Sequence, residues 1–134
     1  MQELSPDITH IYVCVSCRAA GQPLEPREER AGFQLFADLA AHQGAQDAAI
    51  RLVPVECLSV CKRPCTVSFA APGKWTYVYG DLSASASAAT ILAGAKLYAA
   101  AADGIIPWKQ RPDAMKKGVV ARVPPLSPIL EQKP

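Results

Sequence analysis

Five cysteines stand in two tight groups in this chain of 134 residues. Cys14 and Cys17 form C-V-S-C, and Cys57, Cys61 and Cys65 form C-L-S-V-C-K-R-P-C. Thiolates bind soft and borderline metals, and four of them complete a tetrahedral zinc site or hold a [2Fe–2S] cluster. A C-x-x-C pair after a strand can instead support thiol–disulfide exchange. An isolated buried cysteine is usually only a small hydrophobe, but two compact groups point to a shared metal.

The spacing separates these chemistries. A zinc site commonly leaves about 15–20 residues between two C-x2-C pairs. Here 39 residues lie between Cys17 and Cys57, and the second pair is C-x3-C. Zinc tolerates that arrangement without being favoured by it. A thioredoxin-like dithiol oxidoreductase would use Cys14 and Cys17 and leave three cysteines unexplained. An iron–sulfur cluster uses both groups. A radical-initiating [4Fe–4S] enzyme would want C-x3-C-x2-C, and the gap from Cys61 to Cys65 is too long for that. Cys65 alternates with Val67 and Phe69, which turns it toward the core at the start of a strand. The donor set is then Cys14, Cys17, Cys57 and Cys61, with Cys65 the alternative ligand.

The elements that must position these thiols are legible. Residues 10–15 (HIYVCV) are β-branched and aromatic and read as a strand delivering the first pair to a sheet end. A loop with Gly21, Pro23 and Pro26 follows, then a helix begun by Glu28 and Glu29. Phe33, Leu35, Phe36, Leu39 and Ala40 supply its apolar face, and Gly44 ends it. Residues 50–55 (IRLVPV) read as a strand that Pro54 confines to an edge or to its final residues. Residues 66–70 and 75–79 read as a hairpin around Ala71, Pro72, Gly73 and Lys74.

Ser83 is a candidate N-cap for a second helix running toward Asp103, with Ile91, Ala95, Tyr98 and Ala102 at helical spacing. The order is β-α-β-β-β-α, a compact α/β domain over residues 1–104. Residues 105–134 carry six prolines and read as an extended tail on that domain, with a short helical turn near 113–117. Trp75, Tyr77 and Tyr79 alternate on one strand face, as core or dimer packing does, and Trp108 could cap them.

Composition narrows the function. Half the residues are hydrophobic and 19% are charged, as in globular domains, and the net charge is +2. Neither that charge nor any run of basic residues with interleaved aromatics implies nucleic acid. The apolar run over 86–102 is mostly alanine and contains Lys96, so a packed helix is expected and no membrane partner. The N-terminus lacks a secretory pattern, which makes a cytoplasmic location the expectation. His10 and His42 read as strand or surface histidines, and His10 could approach the cysteines only if strand geometry allowed it. Arg111, Lys116, Lys117 and Arg122 read as a solvated face or a docking patch. With no Ser/His/Asp grouping, phosphate loop or carboxylate pair, the reading is an electron carrier or metal-binding module rather than an enzyme. Arg18, Lys62 and Arg63 beside the cysteines either favour a reduced cluster and orient an acidic redox partner or merely keep the turn soluble, and amides near Leu58 to Val60 could bond to its sulfurs.

The turn Cys57-Leu-Ser-Val-Cys61, followed by a strand and a hairpin ending in W-T-Y-V (75–78), resembles thioredoxin-like [2Fe–2S] ferredoxins. The segments APGKWTYVYGDL (71–82), GIIPW (104–108), Arg111-Pro112 and ARVPP (121–125) more closely resemble a bacterial family labelled predicted metal-binding proteins. That closer resemblance spans residues 8–126. The ferredoxin resemblance implies a thioredoxin-like ferredoxin fold with a small mixed sheet of about four strands and two helices. It also implies a [2Fe–2S] cofactor, with zinc the alternative, a redox partner protein and a homodimer. The chain differs from the ferredoxin pattern in the short step from Cys14 to Cys17 and in its fifth cysteine.

Overall fold

Thr9–Cys14 (β1) and Ile50–Val55 (β2) are the two strands that carry the chain toward its cysteines, and they lie side by side in parallel. The helix Ala31–Gln43 (α1) is the crossover between them, because parallel neighbours cannot be joined by a tight turn. Its first turn follows a 3-10 turn over Arg27–Glu29, and its buried residues are Gly32, Leu35 and Leu39. Phe36 packs partly against the core, but Ala40 is exposed and does not belong to the apolar face expected of it. These elements come from a computed structural model that describes residues 8–16, 26–43, 49–59, 63–82 and 88–126.

Val67–Ala70 (β3) and Thr76–Tyr79 (β4) form the expected hairpin. Gly73 holds φ at +75° at the turn, where a side chain would be strained. The second helix, Ala88–Ala100 (α2), is buried through Ile91, Ala95 and Tyr98. Its candidate cap Ser83 lies outside the described residues. The tail does more than wrap the surface. After a 3-10 turn at Trp108–Gln110 and the short helix Asp113–Lys117 (α3), residues Val119–Val123 pair antiparallel with β4 as β5. The sheet therefore has five strands in the order β2-β1-β3-β4-β5. β2 is an edge strand, which is where Pro54 can sit without breaking a ladder.

One sheet face carries the core. Ile11, Val13, Val67, Phe69, Tyr77 and Tyr79 are all fully buried and occupy matching register positions across β1, β3 and β4. Leu35 and Leu39 of α1 and Ile91, Ala95 and Tyr98 of α2 complete the same cluster. Each large apolar side chain buried there contributes about 1.5–3 kcal/mol. Tyr77 and Tyr79 are spent inside this core, so they supply no interface to a second copy. Trp108, at 58% exposed, does not cap them. Ile106 and Arg111 cover Tyr77 instead, donating to its hydroxyl from the Ile106 amide and the Arg111 guanidinium, each at 3.1 Å. Among the described residues no helix is long and apolar enough to cross a membrane.

Candidate metal centre

Parallel pairing decides where the thiols go. The last register pair of β1 and β2 is Cys14 with Val55, and the Val15 amide donates to the Val55 carbonyl at 2.9 Å. Both chains thus leave the sheet together at the C-terminal ends of parallel strands, and Cys57 follows two residues after Val55. The Glu56 carbonyl ties the two exits to each other. It accepts a hydrogen bond from the Ser16 hydroxyl and a longer contact of 3.7 Å from the Cys14 thiol. Cys14 Sγ and Ser16 Oγ lie 3.6 Å apart.

The two described thiols of the expected set have different surroundings. Cys14 is 2% exposed but stands outside the apolar cluster, while Cys57 is exposed. Ser59 adopts φ of 61°, in the left-handed region, and its amide donates to Cys57 Sγ at 3.1 Å. That is one of the turn amides anticipated near Leu58 to Val60.

Cys65 is placed otherwise. It sits in the apolar cluster at 3% exposure, at the foot of β3. Its amide donates to the Leu82 carbonyl at 2.8 Å, and the Leu82 amide returns a bond of 3.2 Å to the Cys65 carbonyl. Burial pushes its thiol up to about 11, with the nearby charge of Cys14 adding to the effect. A thiol so reluctant to ionise behaves as core, as its alternation with Val67 and Phe69 anticipates.

Cys17 and Cys61 lie outside the described residues, as do Arg18 and Lys62. Among the described residues no group of three or more His, Cys, Asp or Glu side chains is gathered as a metal site. Arg63 is not a free charge facing the thiols. Its guanidinium pairs with the Asp81 carboxylate at 2.8 Å and reaches the Lys117 carbonyl at 3.4 Å. His10 sits near the opposite end of β1, roughly 13 Å from Cys14 at about 3.3 Å per residue. It stacks on Tyr12, and burial with the neighbouring Arg51 charge lowers its pKa. His42 is exposed at the end of α1, against the Asp38 carbonyl. Neither histidine joins the cysteines.

The family described as protein of unknown function DUF1636 matches residues 11–125. The chain belongs to that family. Its matched span begins within β1 and ends just past β5, so the family covers all but the first two residues of the sheet and takes in the tail strand. The structure of a thioredoxin-like [2Fe-2S] ferredoxin from Aquifex aeolicus aligns with a TM-score of 0.56 at 17% identity, covering 89% of this chain and 96% of that one. The fold is therefore that of the thioredoxin-like ferredoxins. No curated protein matches the chain significantly.

Two participants at the sheet end were not singled out in the sequence. Ser16 lies between the first two cysteines, so C-V-S-C itself carried the signal. Glu56 acts through its backbone carbonyl, for which side-chain identity offers no signal at all.

Proposed function

We propose that this protein binds a metal through its clustered thiolates, holding a [2Fe–2S] cluster on Cys14, Cys17, Cys57 and Cys61 as an electron carrier or redox sensor. One observation carries the reading above all. Parallel β1 and β2 release Cys14 and Cys57 at the same sheet end, stitched through the Glu56 carbonyl.

The surroundings of the described thiols fit the role. Cys57 is reachable from solvent and receives the Ser59 amide, and hydrogen bonds to sulfur are a principal control on cluster potential. Cys14 is shielded, which would keep water from one side of the site. When bound, such a cluster supplies storage of a single electron. Cys65, buried among apolar side chains, is left to packing.

Anaerobically purified protein should be brown, bleach with dithionite, and contain about two iron and two sulfide per chain. Cys57→Ser should abolish most of the iron, whereas Cys65→Ala should keep it and lose only stability. Colourless protein holding one zinc would sink the cluster and leave a zinc site on the same thiolates.

A further inference from the structure

The tail that supplies β5 also concentrates charge. Residues 104–126 hold five of the chain's 14 Lys and Arg but only one of its 12 Asp and Glu. That stretch is therefore net positive by four, and the remainder of the chain is net negative by two. The one acidic residue, Asp113, is 96% exposed and reaches Lys116 only at 3.9 Å. It neutralises little, since ion pairs this exposed and this long are weak.

These cations are arranged on rings. Arg122 lies over the Trp75 ring at 5.0 Å, and in register Arg122 stands opposite Tyr77. Arg111 lies 5.4 Å from both the Tyr77 and the Trp108 ring centres. Lys116 Nζ lies over the Trp108 ring as well, 5.7 Å from its centre. The series runs from Arg122 of β5 at Trp75, through Arg111, to Lys116 of α3 at Trp108. Trp108 itself is more than half exposed, although its ring is flanked by two cations. Large exposed aromatics with arginine are what protein interfaces enrich, and stacking on rings holds the cations in place before a partner arrives.

We propose that the surface formed by Arg122, Arg111, Trp108 and Lys116 is a docking site for a carboxylate-rich segment of a partner protein. Charge complementarity selects that occupant. Nucleic acid fits less well, because the rings that would stack on bases already carry the chain's own cations. The site stands on this geometry alone and does not depend on what the cysteines hold.

The test uses the full chain and a synthetic Glu-rich peptide, with a single-stranded oligonucleotide of equal charge as the competitor. Binding is followed by tryptophan fluorescence, which Trp108 should dominate because it is the more exposed ring. The peptide should bind, weaken as salt screens the charges, and lose about tenfold in affinity in Lys116→Glu/Arg122→Glu. The same loss, though smaller, is expected of Lys116→Gln/Arg122→Gln, which keeps the proposal testable if charge reversal harms folding. Lys96→Glu, on the exposed side of α2, should leave binding unchanged. Equal losses in Lys96→Glu and the double variants would overturn the site. So would tighter binding of the oligonucleotide, or no peptide binding at low salt.

Discussion

At the scale of single residues, the tyrosines show how one core treats chemically identical groups. Tyr77 accepts two hydrogen bonds on its hydroxyl, from the Ile106 amide and from Arg111. Tyr79 stacks on Tyr77 at 5.5 Å between ring centres, and its buried hydroxyl has no partner among the described residues. Tyr77→Phe strands a buried amide and a guanidinium, which should cost about 1–3 kcal/mol. Tyr79→Phe removes an unpaired polar atom and should be neutral or slightly stabilising. Chemical denaturation of both variants distinguishes them, and equal losses would contradict this account. The cysteines carry the same lesson. Their types and grouping were legible in the sequence, and so was the inward turn of Cys65, because alternation along a strand is a local property. That the Glu56 carbonyl would join the two cysteine exits was not legible, since a backbone group has the same chemistry in every residue.

At the scale of elements, the ends of helices and turns position the rest. α2 stops where Gly104 takes φ of +84° and donates its amide to the Ala101 carbonyl at 3.2 Å. Lys74, from the β3–β4 turn, then donates to the Tyr98 and Ala99 carbonyls at 3.3 and 3.0 Å. A cation there satisfies helix carbonyls and opposes the negative end of the helix dipole. A methyl group on Gly104 would meet Lys74 Cβ at 2.9 Å and Tyr98 Cε1 at 3.0 Å. Gly104→Ala should therefore cost at least about 1–2 kcal/mol from the left-handed backbone alone. A thermal melt no lower than that of the parent would refute it. The glycine was visible in sequence as a helix stop. The strand β5 was not. Val119–Val123 lies among prolines, and its residues are mostly exposed, so no alternation of buried and solvated positions marks it. Only its pairing with β4 makes it a strand. By contrast β2 showed itself within its residues 50–55, because Pro54 and the β-branched positions state both the strand and its place at an edge.

At the scale of the whole molecule, the fold was readable as an order of elements, whereas the convergence of the thiols depends on a parallel crossover through α1 that no short window contains. The same assembly creates a collective property, an aromatic core that resists ionisation. Tyr98 is fully buried, and that burial pushes its phenol from 10 up to about 12. Tyr79 is pushed upward in the same way, with the neighbouring Tyr77 adding to it. An acidic group whose pKa is raised by folding holds its proton longer in the folded chain than in the unfolded one. Between pH 10 and about 12 the unfolded state therefore binds fewer protons, and stability falls as pH rises. Tyr98 contributes stability that is fully present below pH 10, and raising its phenol from 10 to about 12 corresponds to about 2–3 kcal/mol lost across that window. Denaturant midpoints should be level near pH 8–9 and drop above about 10, with the phenolates of Tyr79 and Tyr98 appearing only as the chain unfolds. Tyr98→Phe, weaker at neutral pH for want of its 2.6 Å bond to the Trp75 carbonyl, should show a shallower alkaline slope. A parent protein whose midpoint stays constant through pH 11.5, or whose phenolates all titrate while it remains folded, would show that these rings are not sealed from water.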